Sequence, residues 1–293
     1  METGPDHAVE VPTRTLVESM LRDDATIDAG ALYDVANTLG MTDQQVRLCI
    51  KRMVADGQFS QDGRGRKALL RATDDLRSTV TPDREYIRFM YAQDRGDAPW
   101  DERWHVVAFA VPEAVRSARD AMRDAIGKLG GAAIQGGLYV SPNDWDSEIA
   151  SAAEKLAIAE HVTTLTTVDL TAGGISEPRA LAAHLWPLGD IADQHRRLLA
   201  FADRALSALP DATPTMQQTI AIQLAAEFTR AVEPDPLLPP ELLPQPWIGT
   251  AAREAVAACW AELVKSAAPQ RITLFQWYAE VIDEVARPMP EGA

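Results

Sequence analysis

The sequence predicts an α+β fold of several domains, because helical and strand patterns occupy separate stretches of its 293 residues. The first 76 residues combine three helical patterns with a basic hairpin. Strand and helix patterns alternate between residues 100 and 175, and helical periodicity dominates from residue 176 onward. We therefore expect a winged helix-turn-helix domain over 1–76, a linker helix over 77–99, a ferredoxin-like α/β sandwich over 100–175 and a helical C-terminal domain over 176–293.

Two of the N-terminal helices are joined by a turn whose residue types favour that geometry. The second helical pattern stops at Gly40, and glycine readily adopts the left-handed conformation found at helix ends. Thr42 and Gln45 then have the spacing of a capping box, in which each side chain satisfies a backbone N–H of the other residue. A third helical pattern follows and ends at Asp56. Two helices joined by so short a turn have the spacing of a helix-turn-helix.

The third helix predicts a DNA-reading surface opposite its apolar stripe. Arginine and glutamine can pair with guanine and adenine edges, and the first turns of a recognition helix normally reach the bases. We therefore assign Gln44, Gln45 and Arg47 to bases, and Lys51 and Arg52 to the phosphate backbone.

A basic hairpin after this helix predicts the wing. Two short strand patterns, 58–60 and 67–71, flank Asp62-Gly63, which is a strong hairpin signal. Three cations lie at or beside the tip, where they suit phosphate or a minor groove. The complete set of predicted DNA-binding residues is Thr42, Gln44, Gln45, Arg47, Lys51, Arg52, Arg64, Arg66 and Lys67.

The net charge of −15 is unusual for a DNA-binding protein, but the charge is unevenly distributed. Between Thr42 and Thr73 seven basic residues outnumber three acidic ones, so that this segment carries +4 and the remainder −19. An acidic remainder weakens non-specific attraction to phosphates. The same pattern leaves a second interpretation open, namely an acidic scaffold whose winged helix docks another protein.

Beyond the wing, the patterns predict a linker helix and then the order strand, helix, strand, strand, helix, strand. The linker helix, over 77–96, has Tyr86, Phe89 and Met90 as its apolar contacts. The later elements are a strand at 103–111, a helix at 113–129, one or two glycine-broken strands within 130–140, a helix at 146–160 and a strand at 163–170. Helical patterns follow from 177, with a break near 187–189, then at 215–232, 250–265 and 272–286, and a proline-rich stretch at 233–247 that we expect to lie on a protein surface.

Several functional classes lack support in the sequence. No apolar run is long enough to span a membrane, and the N-terminus has no signal-peptide pattern, so we expect a cytoplasmic protein. The histidines and cysteines show no metal-ligand spacing, and no catalytic or cofactor motif occurs. An enzyme fused to a DNA-binding domain remains a third interpretation, without an acid–base constellation to carry it. We expect Cys49 and Cys259 to be two buried free thiols.

One polar and aromatic cluster suggests an effector site. Trp100 and Trp104 could stack on a ring, Arg103 could bind a phosphate, and His105 could donate a hydrogen bond. The alternative interpretation is structural, with the same residues joining the linker helix to the first strand of the sandwich.

Several strings, and the order of the predicted domains, resemble the PaaX family of bacterial transcriptional repressors. The strings are Gly40-Met-Thr-Asp-Gln-Gln-Val-Arg47, Lys51-Arg-Met-Val-Ala-Asp-Gly57, Trp100-Asp-Glu-Arg-Trp-His-Val-Val107, Gly136-Gly-Leu-Tyr-Val-Ser-Pro142 and Asp235-Pro-Leu-Leu-Pro-Pro-Glu-Leu-Leu-Pro-Gln-Pro-Trp247. The third and fifth are the most specific, and the likeness spans roughly residues 13 to 265.

The resemblance implies a homodimer that represses aromatic-acid catabolic genes. Two recognition helices that enter successive major grooves predict a pseudo-palindromic double-stranded operator, with half-sites about one helical turn, or a multiple of one, apart. It also implies release by an acyl-CoA effector such as phenylacetyl-CoA. The family's central domain is similar to a CRISPR-associated ferredoxin-like nuclease that needs an acid at the end of its first strand. Here that stretch reads Ala108-Phe-Ala-Val-Pro112, so we expect no nuclease activity. The wing, Arg64-Gly-Arg-Lys-Ala-Leu-Leu, lacks the family's usual Arg-Arg followed by aromatic residues.

Overall fold

A computed structural model of the chain describes residues 9–73, 84–265 and 280. The described residues form a mixed α+β structure with ten α-helices and two antiparallel sheets. The chain divides into two compact units. One comprises residues 1–88, 196–229 and 251–293, and the other comprises residues 89–195 and 230–250.

In the first unit, three helices and a three-stranded sheet form the N-terminal segment. The sheet has the strand order β1-β3-β2, and both neighbours of β3 run antiparallel to it. A core of buried side chains such as Leu16, Leu32, Val46 and Leu70 joins the helices to the sheet. The elements are α1 (Thr13–Ser19), β1 (Thr26–Asp28), α2 (Ala29–Thr38), α3 (Asp43–Ala55), β2 (Phe59–Asp62) and β3 (Leu69–Ala72).

The turn between α2 and α3 has the geometry that the sequence predicts. Gly40 has a φ of +77°, a left-handed backbone that costs glycine little. The capping box is confirmed, because the Thr42 side chain accepts from the Gln45 backbone N–H while the Gln45 side chain accepts from the Thr42 backbone N–H. At the start of α2, Asp28 is the N-cap residue and accepts from the Ala31 backbone N–H at 2.8 Å. Both helices therefore begin at defined residues.

The hairpin differs in detail from the sequence prediction. Its strands pair as expected, but Asp62 stands opposite Leu69, so six residues connect them instead of a tight turn at Asp62-Gly63. The connection is long because Gly65–Lys67 form a turn of 3-10 helix. Cations that the sequence places at a narrow tip therefore lie on a wider loop.

In the second unit, a four-stranded antiparallel sheet is covered on both faces. The strand order is β5-β6-β4-β7, so β4 lies between β6 and β7. One face packs against α5 and α6 through residues such as Val107 and Ile149, and the other packs against α7 and the proline-rich stretch through Trp104 and Leu238. The elements are β4 (Trp104–Phe109), α5 (Arg116–Lys128), β5 (Ala132–Gln135), β6 (Leu138–Ser141), α6 (Asp146–Lys155), β7 (Val162–Thr167) and α7 (Pro178–Leu185).

The proline-rich stretch is anchored to the second unit, as predicted. Its leucines and Trp247 are buried. The backbone carbonyl of Leu237 accepts from the side-chain amides of Gln93 and Asn143, each at 2.9 Å. Asp235 meets buried His195, with 2.7 Å between Oδ2 and Nε2. The remaining helices of the chain are α4 (Arg84–Arg95), α8 (Leu188–Ala208), α9 (Pro214–Val232) and α10 (Ile248–Val264).

Some predicted boundaries and burial assignments are wrong. The predicted helix at 146–160 ends at Lys155, because Ala157 takes a left-handed conformation with φ +54° and a 3-10 turn follows. Phe89 is an exposed residue of α4, whereas Met90 is buried as predicted, together with Ile87 and Tyr91. Residues 77–83 of the predicted linker helix lie outside the described residues, as does the predicted helix at 272–286 apart from residue 280. None of the described helices is long and apolar enough to cross a membrane.

Candidate nucleic-acid interface

The outer face of α3 is polar and basic, with one apolar exception. Gln44, Arg47, Lys51 and Arg52 are all exposed, because Val46, Ile50 and Met53 occupy the buried side of the helix. Leu48 lies on the same exposed face and is 57% exposed. The sequence-based assignment omitted Leu48, although it follows Gln44 by four residues and so shares its face.

The capping box already uses part of Gln45. Its Oε1 accepts from the backbone N–H of Thr42 at 2.8 Å and from the Thr42 hydroxyl at 2.9 Å. The amide NH₂ is the part of the side chain that this box leaves for another partner. Gln45 therefore has less capacity to contact a base than Gln44.

The basic loop of residues 63–68 is fastened to α2 by Arg66. The Arg66 guanidinium donates to the Asp34 carboxylate, lies 3.9 Å from Asp43 Oδ2, and sits over the Tyr33 ring at 5.5 Å. The hydrogen bond to Asp34 raises the pKa of Arg66 above its ordinary value. Arg66 therefore positions the loop, a role that the sequence assignment to DNA did not include.

The other cations of the predicted interface are exposed and carry no counter-charge among the described residues. There are five of these cations, and among residues 9–73 and 84–265 the structure shows no ion pair for any of them. Unpaired cations keep their full charge available for an anionic partner. These five are Arg47, Lys51, Arg52, Arg64 and Lys67.

The predicted effector cluster is divided between the core and the surface. Trp104 is only 2% exposed, stacks on Trp186 and meets the Trp100 ring edge-on. Trp100 donates from its indole N–H to the Arg103 carbonyl at 2.9 Å. Arg103 is exposed, whereas His105 is buried. Trp104 thus serves packing, and effector binding by this cluster stays a prediction.

The two cysteines differ in burial. Cys259 is buried and donates from its thiol to the Ala202 carbonyl at 3.3 Å, and burial raises its pKa to about 12. Cys49 is only half-buried, and partial burial raises its pKa as well. The prediction of two buried thiols is therefore right for Cys259 and wrong for Cys49.

Comparisons with known proteins place the chain in a family. Residues 97–182 match the model described as the PaaX protein central Cas2-like domain, and residues 186–271 match the PaaX-like protein C-terminal domain. Together the two matches span more than half of the chain. The chain belongs to the PaaX family, which consists of transcriptional regulators.

A solved structure supports the fold. The chain is similar to an uncharacterized protein, Rv0674, from Mycobacterium tuberculosis, with a TM-score of 0.54 and 21% sequence identity over 95% of this chain and 100% of that one. At that identity the likeness concerns the fold alone. No protein with a curated description matches the sequence.

Proposed function

We propose that this protein is a DNA-binding transcriptional regulator that represses a catabolic operon. The observation that carries the proposal is the set of five exposed cations on α3 and the loop of residues 63–68, within an otherwise acidic chain. Duplex DNA is the partner that such a set fits, because phosphates attract the cations while the helix presents side chains to the major groove.

In this proposal the N-terminal segment is a winged helix-turn-helix. The helices α2 and α3 form the helix-turn-helix, and β2, β3 and their connecting loop form the wing. Gln44 and Arg47 lie in the first two turns of α3 and contact bases, whereas Lys51 and Arg52 contact phosphates. Arg64 and Lys67 contact the backbone from the wing, while Thr42 and Gln45 mainly hold the start of α3.

The central sheet supports a ferredoxin-like domain in the same regulator. Its elements follow the order strand, helix, strand, strand, helix, strand, and its strand order is β5-β6-β4-β7. Family membership supports a homodimer on a pseudo-palindromic operator, with an acyl-CoA effector such as phenylacetyl-CoA releasing the DNA. It likewise supports a regulatory role for the chain, with no catalytic one.

A second candidate function is protein docking by the N-terminal segment. One observation favours it: Leu48 exposes apolar surface in the middle of the proposed DNA-reading face. An exposed leucine surrounded by cations also fits an acidic partner protein with an apolar spot.

The direct test is binding to duplex DNA selected from a random-sequence pool by the full-length protein. Replacing Arg47 or Arg64 by Ala, at fixed salt, is expected to weaken affinity by about fivefold to a hundredfold, because each substitution removes one interaction with the duplex. Lys155→Ala is a matched control, because Lys155 is an exposed cation outside the N-terminal segment.

An affinity unchanged in both variants would contradict the assigned surface. Failure to enrich any sequence, together with no measurable binding to the pool, would contradict the proposed function itself.

A further inference from the structure

One buried histidine has no hydrogen-bond partner in the part of the chain that the structure describes. The His105 side chain is only 7% exposed, and neither of its ring nitrogens forms a hydrogen bond there. Burying a polar nitrogen without a partner costs free energy, so native proteins nearly always supply a partner, an ordered water or an ion. We therefore expect His105 to bind a partner other than the side chains of the described residues.

Carboxylates stand on both sides of the ring, at distances unsuited to hydrogen bonds. Nδ1 lies 3.8 Å from Asp144 Oδ1, and Nε2 lies 3.9 Å from Asp101 Oδ2. Hydrogen bonds of this type have donor–acceptor distances of about 2.7 to 3.2 Å. A metal ion bonded to both a nitrogen and an oxygen, at about 2.0–2.2 Å each, holds them up to about 4.2 Å apart. The Nδ1–Asp144 separation fits such an ion.

A third donor completes the set. Ligand atoms of His105, Asp144 and Asp146 all lie within 4.8 Å of one another. Asp146 is exposed, so its carboxylate has room to turn toward a shared ion. The opening to solvent on the aspartate side also leaves room for water to fill the remaining coordination positions.

The fold holds the backbone of these residues close together before any ion binds. His105 lies on the central strand β4, directly opposite Ser141 of β6. The chain leaves β6 after Ser141, and the backbone N–H of Asp146 donates to Asp144 Oδ1 at 3.0 Å where α6 begins. Both aspartates are thus held at the N-terminal end of α6, beside the histidine.

We propose that His105, Asp144 and Asp146 form a binding site for a divalent transition-metal ion such as Mn²⁺ or Zn²⁺. Imidazole with carboxylates suits these ions, whereas Mg²⁺ and Ca²⁺ favour oxygen-only sites and softer ions favour thiolates. Nδ1 is the metal-binding nitrogen. The negative charge of Asp101, whose Oδ2 lies 3.9 Å from Nε2, favours the tautomer with its proton on Nε2.

The bound ion ties the start of α6 to the centre of the sheet. The sequence predicted no metal site, because the donors come from β4 and from residues at the start of α6, far apart in the chain, and show no ligand spacing. This proposal is independent of the proposed DNA binding.

The test uses full-length, untagged protein that has been treated with chelator and then freed of it. Isothermal titration with MnCl₂ and ZnCl₂ is expected to show one site per chain, and either ion is expected to raise the melting temperature. MgCl₂ at the same concentration is expected to leave the melting temperature unchanged. A rise with Mg²⁺ equal to that with Mn²⁺ would overturn the assignment of an imidazole ligand.

Variants at the exposed aspartates keep the test independent of folding. Asp144→Asn and Asp146→Asn are expected to lower affinity at least about tenfold. Asp144→Asn retains a side-chain oxygen for the Asp146 N–H, so the start of α6 is preserved. Asp124→Asn, an exposed acid on α5, serves as the matched control and should bind normally. Wild-type affinity in both cluster variants, or no binding of either ion to the unmodified protein, would overturn the proposal.

Discussion

At the scale of single residues, the exposed face of α3 combines charge with one apolar side chain. Arg47 and Gln44 offer hydrogen bonds that distinguish bases, while Leu48 offers none. An apolar group on a DNA-reading face fits the methyl group of thymine, which is the apolar feature of the major groove. In the proposed function Leu48 therefore reads thymine at one position of the operator.

Replacing Leu48 by Ala is expected to relax that preference. A decrease of about 1 kcal/mol in apolar stabilisation corresponds to roughly a fivefold weaker preference for thymine at a single position. Repeating the duplex selection with the variant measures the change, and Leu165→Ala, at an exposed leucine of β7, controls for general effects. Selection of an identical sequence by the Leu48 variant would contradict this role.

Residue contacts were predictable from the sequence where they are local and not where they are long-range. The capping box joins Thr42 to Gln45 within one helical turn, so spacing alone indicated it. The pair between Arg66 and Asp34 joins residues 32 positions apart, and only the fold brings them together. For the same reason the sequence did not indicate that His105 and Asp144 lie close together.

At the scale of elements, periodicity located the long helices and strands but not the short ones. The strand β1 has three residues, too few to establish an alternating pattern, and its register is set by pairing with β3. Helix ends were uncertain where no glycine or proline marks them, as at Ala157 after α6. The burial of the proline-rich stretch was predictable, because its leucines leave water only if they pack against another part of the protein.

Asp235 holds that stretch in place and is expected to be important for stability. Its Oδ1 accepts from the Leu237 backbone N–H at 2.9 Å, while Oδ2 meets His195. Asp235→Ala leaves a buried imidazole and a buried N–H without this acceptor, at a cost of about 3 kcal/mol in the free energy of unfolding.

Urea unfolding measures this loss as a lower midpoint. Asp169→Ala changes an exposed aspartate after β7 and serves as the control. An unchanged midpoint for Asp235→Ala would show that the pair adds nothing to stability.

At the scale of the whole molecule, the distribution of charge and the family membership support the proposed function. The segment from Thr42 to Thr73 is basic in a chain of net charge −15. The family was recognisable from its two most specific strings. Residues 100–107 fall inside the first family-model match, and residues 235–247 fall inside the second. Operator sequence and effector were not predictable in detail, because base and ligand contacts depend on atoms outside the chain.

The salt dependence of DNA affinity tests the central claim most directly. Lys51, Arg52, Arg64 and Lys67 are assigned to phosphates, and each phosphate contact contributes about −0.9 to the slope of log affinity against log salt. Full-length protein on its selected duplex is therefore expected to show a slope of about −4 for each bound protomer. The slope is expected to be about −3 in Lys51→Ala and to stay at about −4 in Lys155→Ala. An affinity that does not vary with salt, or the same slope in all three proteins, would contradict the assignment of this surface to DNA.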